Sequence, residues 1–545
     1  MSRRRRTTGQ ALVDGLLAHD VDTVFGLPGV QTYALFDALA GARDRISVIS
    51  PRHEQTCGYM AMGYAQSTGR VGVCSVVPGP GVLNASAALL TAAGSATPVV
   101  CLTSEIPTEY MGRGLRHLHE MPDQLATLAS FTKWAANVDH PVQAPHLVSE
   151  AFATAAGGRP GPVVLAAPWD VLGAEAETQA TVPRRLDPPP IDSAALARAA
   201  DVLAEARNPM IMVGSGARHA ADEIRELAQL LQAPVVSLRG GRGIVSDADP
   251  LGFSCAEGFE CWPDTDVLLA MGTRQELAWF RWPDRPSGLR TVNVDIDPRQ
   301  HGRLQPTVGL TADARETAVA LLDALRPLPG RPSRLEEYAQ LKARRRAEIG
   351  QLQPHVGHLA AIRDALPEDG YFVEEISQIG FSSHFAFPVY RPRHFITAGH
   401  QGTLGFGFPT SLGVKAAHRD APVVSVTGDG GFLFAATELA TAVQYDLGVV
   451  VVVFDNGAYG NVLADQQRIY QRDIGSALRN PDFVALAESF GAAGYRAENP
   501  DELRGVLDKA IARDRPAVVV VPMPLDQDLS PWPYLMPASR RGDTG

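Results

Sequence analysis

An aspartate enclosed by glycines ends the apolar run in VVSVTGDGGF, residues 423–432. Glycines let backbone N–H groups approach a bulky anion, and a lone carboxylate among them attracts a cation. Asp429 alone also suits the start of a helix as a cap. Beyond twenty-six intervening residues, VFDNGAYGN (453–461) presents Asn456 in a second glycine-containing turn. One helical pattern, AATELATAVQYDL, and one apolar run, GVVVVVFD, lie between the two. A strand–helix–strand unit of that length returns the chain to the carboxyl end of a neighbouring strand, so Asp429 and Asn456 are expected to face one point. Hard oxygen donors from Asp429, the Asn456 amide and a nearby backbone carbonyl, that of Ala458, suit Mg²⁺ bound to phosphates. Gly428, Gly430, Gly431 and Gly457 would line those phosphates.

The elements that must position this site come from a chain of 545 residues, 45% apolar and 20% charged, with a net charge of −11. That length implies about three domains, and the acidic balance excludes a general nucleic-acid binder. Arg3–Arg6 reads as a disordered solubilising tail, and TTGQALVDGLLAHD after it as an amphipathic helix rather than a secretory signal. LGVVVVVF, the longest apolar run, is far short of the roughly 20 residues of a membrane span. Five cysteines without paired spacing indicate neither a disulfide framework nor a zinc site, and the cytoplasm is the default.

Pro-rich breaks at 181–192 and 326–334 divide the chain into three blocks: 1–180, 191–326 and 345–545. In each, short β-branched runs alternate with alanine-rich helical patterns, the signature of parallel α/β sheets covered by helices on both faces. The first and third blocks end alike, in HLVSEAFATAAGGRPGPVVLAAPWD (146–170) and ELRGVLDKAIARDRPAVVVVPMPLD (502–526). That likeness fits either a duplicated domain or a common αβ unit met twice.

The G-D-G and distant Asn resemble the signature of thiamine diphosphate-dependent enzymes of the acetolactate synthase and 2-oxo acid decarboxylase group. FGLPGV (25–30), RHEQTCGYMAMGYA (52–65), VVPGPGVLNA (76–85) and GTLGFGFPTSLG (402–413) extend the likeness over nearly the whole chain. The resemblance implies three doubly wound domains: a pyrimidine-binding domain, a central Rossmann-like domain and a diphosphate-binding domain. It further implies thiamine diphosphate and Mg²⁺ as cofactors, and a homodimer or homotetramer with active sites between subunits. By the same match, Glu54 shares a proton with the cofactor's pyrimidine, Leu404 wedges its two rings into a V, and the Gly402 carbonyl accepts from its amine. Gln378 and Tyr459 match cofactor contacts, while Asn84 reads as a structural capping residue.

Departures from the pattern bear on the reaction. His119, with His117 two residues before it, stands where acetolactate synthases usually carry glutamine, and the match places both near the reacting carbon. Val30 replaces the acidic residue of simple pyruvate decarboxylases, which favours capture by a second carbonyl. Asp465 aligns with a tryptophan that shapes the acceptor pocket of many acetolactate synthases. RQELA (274–278) replaces the RFDDR of flavin-containing members and argues against bound FAD. Arg274 then remains as a contact for a substrate carboxylate or a nucleotide, and the G-x-G of VGSGARHA as a sheet-to-helix turn. The expected function is decarboxylation of a 2-oxo acid with carboligation to an acceptor carbonyl. Non-ligating decarboxylation, including that of aromatic or guanidino-bearing 2-oxo acids, is the alternative, and a non-catalytic homologue is a third.

Overall fold

The computed structural model describes residues 4–539. Three six-stranded parallel sheets organise them. The first contains Thr23–Gly26, Ser47–Ile49, Gly72–Ser75, Val99–Glu105, Trp134–Asn137 and Val163–Pro168. The third contains Tyr371–Val373, Phe395–Ile396, Val423–Gly428, Val449–Asp455, Ala493–Arg496 and Ala517–Pro522. With strands counted along the chain within each sheet, both have the spatial order 2-1-3-4-6-5. The similar endings noted in the sequence are the same last helix and strand in each, Ala144–Ala156 with Val163–Pro168 and Pro500–Arg513 with Ala517–Pro522. Shared order over six strands goes beyond a chance likeness of one αβ unit and supports duplication.

The middle sheet, from Pro209–Val213 to Val308–Leu310, has the order 3-2-1-4-5-6. This is the doubly wound order whose switch point lies between strands 1 and 4. Strands such as Val449–Asp455 are buried along nearly their whole length, which is why they read as unbroken apolar runs. Among the described residues no helix is long and apolar enough to cross a membrane, and the five cysteines are free.

The basic run corrects one expectation. Arg4–Thr7 is a strand, paired antiparallel with Glu175–Thr178, and Arg5 and Arg6 bind Glu175 and Asp14 at 2.6 and 2.9 Å. A cross-strand carboxylate, Glu175, and one on the following helix, Asp14, recruit the arginines; Arg3 lies outside the described residues. Thr8–Ala18 forms the expected helix, closed by a Thr7–Gln10 capping box.

One core joins the first and third domains, with Met60 and Val82 packed in the same cluster as Phe406 and Leu412. At its centre the helices Glu54–Thr68 and Gly407–Ala417 meet backbone to backbone. A Cβ on Gly63 would stand 2.1 Å from the Thr410 carbonyl oxygen, and one on Gly413 2.0 Å from that of Met60. Gly63→Ala is therefore expected to force the helices apart and to cost about 1–3 kcal/mol. Gly505→Ala, in a helix where an added Cβ meets nothing within 4 Å, is expected to gain about 0.4–1 kcal/mol. Urea midpoints of the two variants check the contrast; equal midpoints would show that the crossing tolerates a methyl group.

Candidate active site

Strands Val423–Gly428 and Val449–Asp455 are adjacent and parallel, with Gly428 opposite Phe454. Asp429 and Asn456 therefore leave neighbouring strands at the same sheet edge, as the spacing predicts. Asp429 is buried and opens the short helix Asp429–Leu433. Its Oδ2 accepts from Asn480 Nδ2 at 2.6 Å, and the same amide donates to Asp455 Oδ1 at 2.7 Å. Burial, assisted by the charge of Asp455, pushes the Asp429 carboxyl up to about 6 against the hydrogen bonds it receives. Asn456 Oδ1 accepts from the Ala458 N–H at 2.9 Å, while Nδ2 donates to Asp528 at 2.8 Å. Asp528 is in turn bonded to His355 Nε2 at 2.9 Å.

Gly457 takes a left-handed φ of +67°, and the following turn is pinned by Leu478 N–H to the Gly457 carbonyl and Tyr459 N–H to the Ser476 carbonyl. The Tyr459 ring covers Gly430 so closely that a Cβ there would lie 2.5 Å from it. At Gly428 the nearest neighbour of a Cβ, Ser377, is an ordinary 3.6 Å away. Among the described residues the buried Oδ1 of Asn480 and Oε1 of Gln378, the latter opening the helix Gln378–Ala386, have no hydrogen-bond partner. Unpaired buried acceptors and a carboxylate raised by burial fit a cation. Among the described residues no three His, Cys, Asp or Glu side chains converge as a metal cage. A cation here would thus rely on Asp429 with amide, backbone and phosphate oxygens, the donor set of Mg²⁺.

In the first domain, Glu54 opens the helix Glu54–Thr68 and its Oε2 accepts from Asn84 Nδ2 at 3.0 Å. Asn84 is therefore not the capping residue expected. It lies inside the helix Pro80–Gly94, where Gly79 holds the cap position, and its amide is committed to Glu54. The loop that carries His119 crosses the start of this helix, because a Cβ on Gly79 would lie 2.4 Å from the His119 carbonyl oxygen.

His119 itself has φ +70°, and Gln31, also left-handed at φ +77°, meets its Nδ1 with Oε1 at 2.8 Å. Since Gln31 Nε2 donates to the Leu118 carbonyl, its Oε1 is the acceptor, and Nδ1 of His119 carries the proton. Nε2 then offers a lone pair in the neutral ring. Burial lowers the His119 pKa, with Glu54 pulling the other way and His117 adding to the fall. His117 turns aside, stacked on Tyr110 at 4.7 Å with its Nδ1 3.3 Å from the Leu118 carbonyl. Gln31 was not singled out in the sequence; only its position directly after FGLPGV pointed to it.

The segment Gly402–Gly405 lies between domains. Thr403 Oγ1 meets the Tyr59 hydroxyl at 2.5 Å, and a Cβ on Gly402 would strike Ile376 at 2.5 Å. Leu404 is half-buried here. Just past the segment, the Gly407 N–H donates to Glu375 at 2.7 Å, and burial pushes that carboxyl up to about 7. Asp465 lies on the helix Gly460–Tyr470 directly after the Asn456 turn, half-buried beside Arg468 at 2.9 Å.

At the switch point of the middle sheet, Gly214 and Gly216 approach the Gly272 backbone too closely for any side chain, the turn the sequence predicts. A cavity of about 400 Å³ opens there, lined by Arg159, Arg218, Arg239, Arg274 and Arg393. Burial, with Arg393 nearby, pushes Arg218 down to about 9.

Comparison with known proteins identifies the three domains. Residues 6–127, 196–321 and 375–521 match the N-terminal TPP binding, central and C-terminal TPP binding domain models of thiamine pyrophosphate enzymes. The chain is 37% identical over 509 residues to the probable 2-ketoarginine decarboxylase AruI of Pseudomonas aeruginosa, covering 91% of this chain and 90% of that protein. It is 31% identical to the probable acetolactate synthase large subunit of Methanocaldococcus jannaschii, with 93% and 90% covered. For acetolactate synthase isozyme 1 large subunit of Escherichia coli the identity is 28%, with 97% and 96% covered. With Asp429 and Asn456 on adjacent strand ends and Glu54 at a helix start in the twin domain, the chain belongs to the thiamine diphosphate-dependent enzymes of the acetolactate synthase and 2-oxo acid decarboxylase group.

Proposed function

We propose that the protein decarboxylates a 2-oxo acid with thiamine diphosphate and Mg²⁺ and joins the remaining carbon fragment to an acceptor carbonyl. The observation that carries this reading is the Glu54 cluster, where a carboxylate held by Asn84 lies within electrostatic reach of a neutral His119. Asp429, the Asn456 amide and the Ala458 carbonyl would hold Mg²⁺. Gly428, Gly430, Gly431 and Gly457 would leave room for the diphosphate, with Gln378 and Tyr459 beside it. Gly402 would accept from the pyrimidine amine and Leu404 would support the rings. Thiamine diphosphate, when bound, supplies an acidic ring carbon and an electron sink for the departing CO₂. Glu54 holds the proton shared with the pyrimidine nitrogen. His119 Nε2 takes or returns a proton at the substrate-derived carbon, the work of a general acid–base near neutral pH.

The same reading makes the protein a cytoplasmic homodimer or homotetramer with sites between subunits. Exposed Leu433, Phe434 and Val462 beside the two site loops support it, as apolar side chains that a second chain would cover. FAD is not required in this reading, because RQELA stands in place of the RFDDR of flavin-containing members. Release of an aldehyde without ligation is the second reading. The 37% identity to a probable 2-ketoarginine decarboxylase favours it, and the Asp465 carboxylate, next to the metal turn, suits a cationic substrate tail.

Three outcomes are expected. Mg²⁺ must displace the proton from Asp429, whose carboxyl titrates near 6, so calorimetric Mg²⁺–thiamine diphosphate affinity should fall as pH drops below 6. In Asp429→Ala it should vanish at every pH; undiminished binding would refute the metal assignment. Glu54→Gln should retain cofactor binding yet lose exchange of the cofactor's C2 proton by orders of magnitude, and wild-type exchange measured by NMR would contradict the role of Glu54. Products from a panel of 2-oxo acids, with and without aldehydes, should include a ligation product whose ratio to aldehyde shifts in His119→Ala, with turnover down about 10²-fold. Aldehyde alone from both proteins selects the second reading, and neither product from wild type rejects both.

A further inference from the structure

The segment carrying Gly402 and Leu404 is held by more than its own domain. The first domain supplies Thr91 Oγ1, which donates to the Gln401 carbonyl at 3.0 Å, and Tyr59, bonded to Thr403. From the middle domain, the Arg239 guanidinium donates to the Gly399 carbonyl. Glu276 Oε1 meets His400 Nδ1 at 3.2 Å, and the Phe280 ring packs edge-on against His400 at 5.8 Å. Gly399 is left-handed at φ +72°, a backbone state that glycine enters without steric cost and that anchoring at its carbonyl holds in place.

Glu276 is the hub of these contacts. Besides His400 it binds Arg281 Nε at 2.6 Å and Arg239 Nε at 3.3 Å. The side chains of Glu276, Arg239 and Arg281 are only 11%, 13% and 2% exposed. Two guanidinium groups this close and this dry repel each other, and a carboxylate between them is what lets both stay. Without it, Arg239 would withdraw from the Gly399 carbonyl and His400 would lose its carboxylate neighbour.

We propose that Glu276 is a positioning residue for the cofactor, fixing through Arg239 and His400 the backbone from which Gly402 and Leu404 project. This assigns a task to the RQELA segment and rests on the cofactor reading above. Burial works against the Glu276 charge, but Arg239 and Arg281 outweigh it and hold the carboxyl down to about 2, so the clamp stays charged at any working pH. Placement of the two rings decides how fast the C2 proton leaves, and small misplacements of reacting groups cost large factors in rate.

The test compares wild type, Glu276→Gln, Glu276→Asp and His400→Ala, each mixed with thiamine diphosphate and Mg²⁺. Calorimetry gives cofactor affinity, NMR the C2 exchange rate, and thermal unfolding the stability. Glu276→Gln, which keeps shape but not charge, should slow C2 exchange by about 10- to 100-fold. Glu276→Asp should recover part of the rate because the charge is retained. His400→Ala should show a smaller loss in the same direction, and it stands in for Glu276→Gln should that variant not fold. Wild-type exchange in Glu276→Gln, or in His400→Ala when it stands in, overturns the proposal whatever happens to the unfolding temperature. Failure of wild type to bind thiamine diphosphate overturns instead the cofactor reading beneath it.

Discussion

The placement of Glu54 and of the segment before Gly407 depends on one helix crossing, where Gly63 and Gly413 let Glu54–Thr68 and Gly407–Ala417 touch backbone to backbone. The first helix begins with Glu54, and the second is entered through Gly402–Phe406. A crossing with no space for a methyl group leaves little freedom to slide, so both helix starts are set by the same contact. The edge-on packing of Tyr59 against Phe406 at 5.5 Å and the Tyr59–Thr403 hydrogen bond extend that contact to the site segment.

Burial then sorts the ionisable groups by the partners each one finds. Asp429 and Glu375 receive hydrogen bonds but, among the described residues, no cationic side chain, and burial leaves them titrating near 6 and 7. Glu276 is buried as well, yet two guanidinium groups within 3.3 Å reverse the outcome. The contrast follows from Coulomb attraction in a poorly solvated place, which outweighs desolvation only when the opposite charge is in direct contact. A carboxylate left near 6 is open to a divalent cation, whereas one already paired with arginines is a brace.

In the proposed reaction the twin sheets would divide the chemistry between them. Both have the order 2-1-3-4-6-5, but Glu54 belongs to the first and Asp429 with Asn456 to the third. The middle sheet, with its own order, contributes an arginine-lined cavity at its switch point and, through Glu276, a hold on the third domain's site segment. Shared architecture thus says little about which residues would react, since the candidates lie in the loops and helix starts at the strand ends.

By itself the sequence determined the parallel sheets, because strands buried on both faces must be written as continuous apolar runs. It also determined the Asp429–Asn456 pairing, because one strand–helix–strand unit spans the distance between them and its geometry is local. Only the tertiary structure decided that Asn84 serves Glu54, that Gln31 orients His119 from 88 residues away, that Asn480 bridges Asp429 and Asp455, and that the basic run Arg4–Thr7 is a paired strand. Those partners are polar residues without periodicity, brought together by left-handed turns at Gln31 and His119 and by strands that close over long stretches of chain. Hydrophobic pattern records which face of an element is buried; which polar group meets which depends on how separate elements pack, and that is decided only when the cores close.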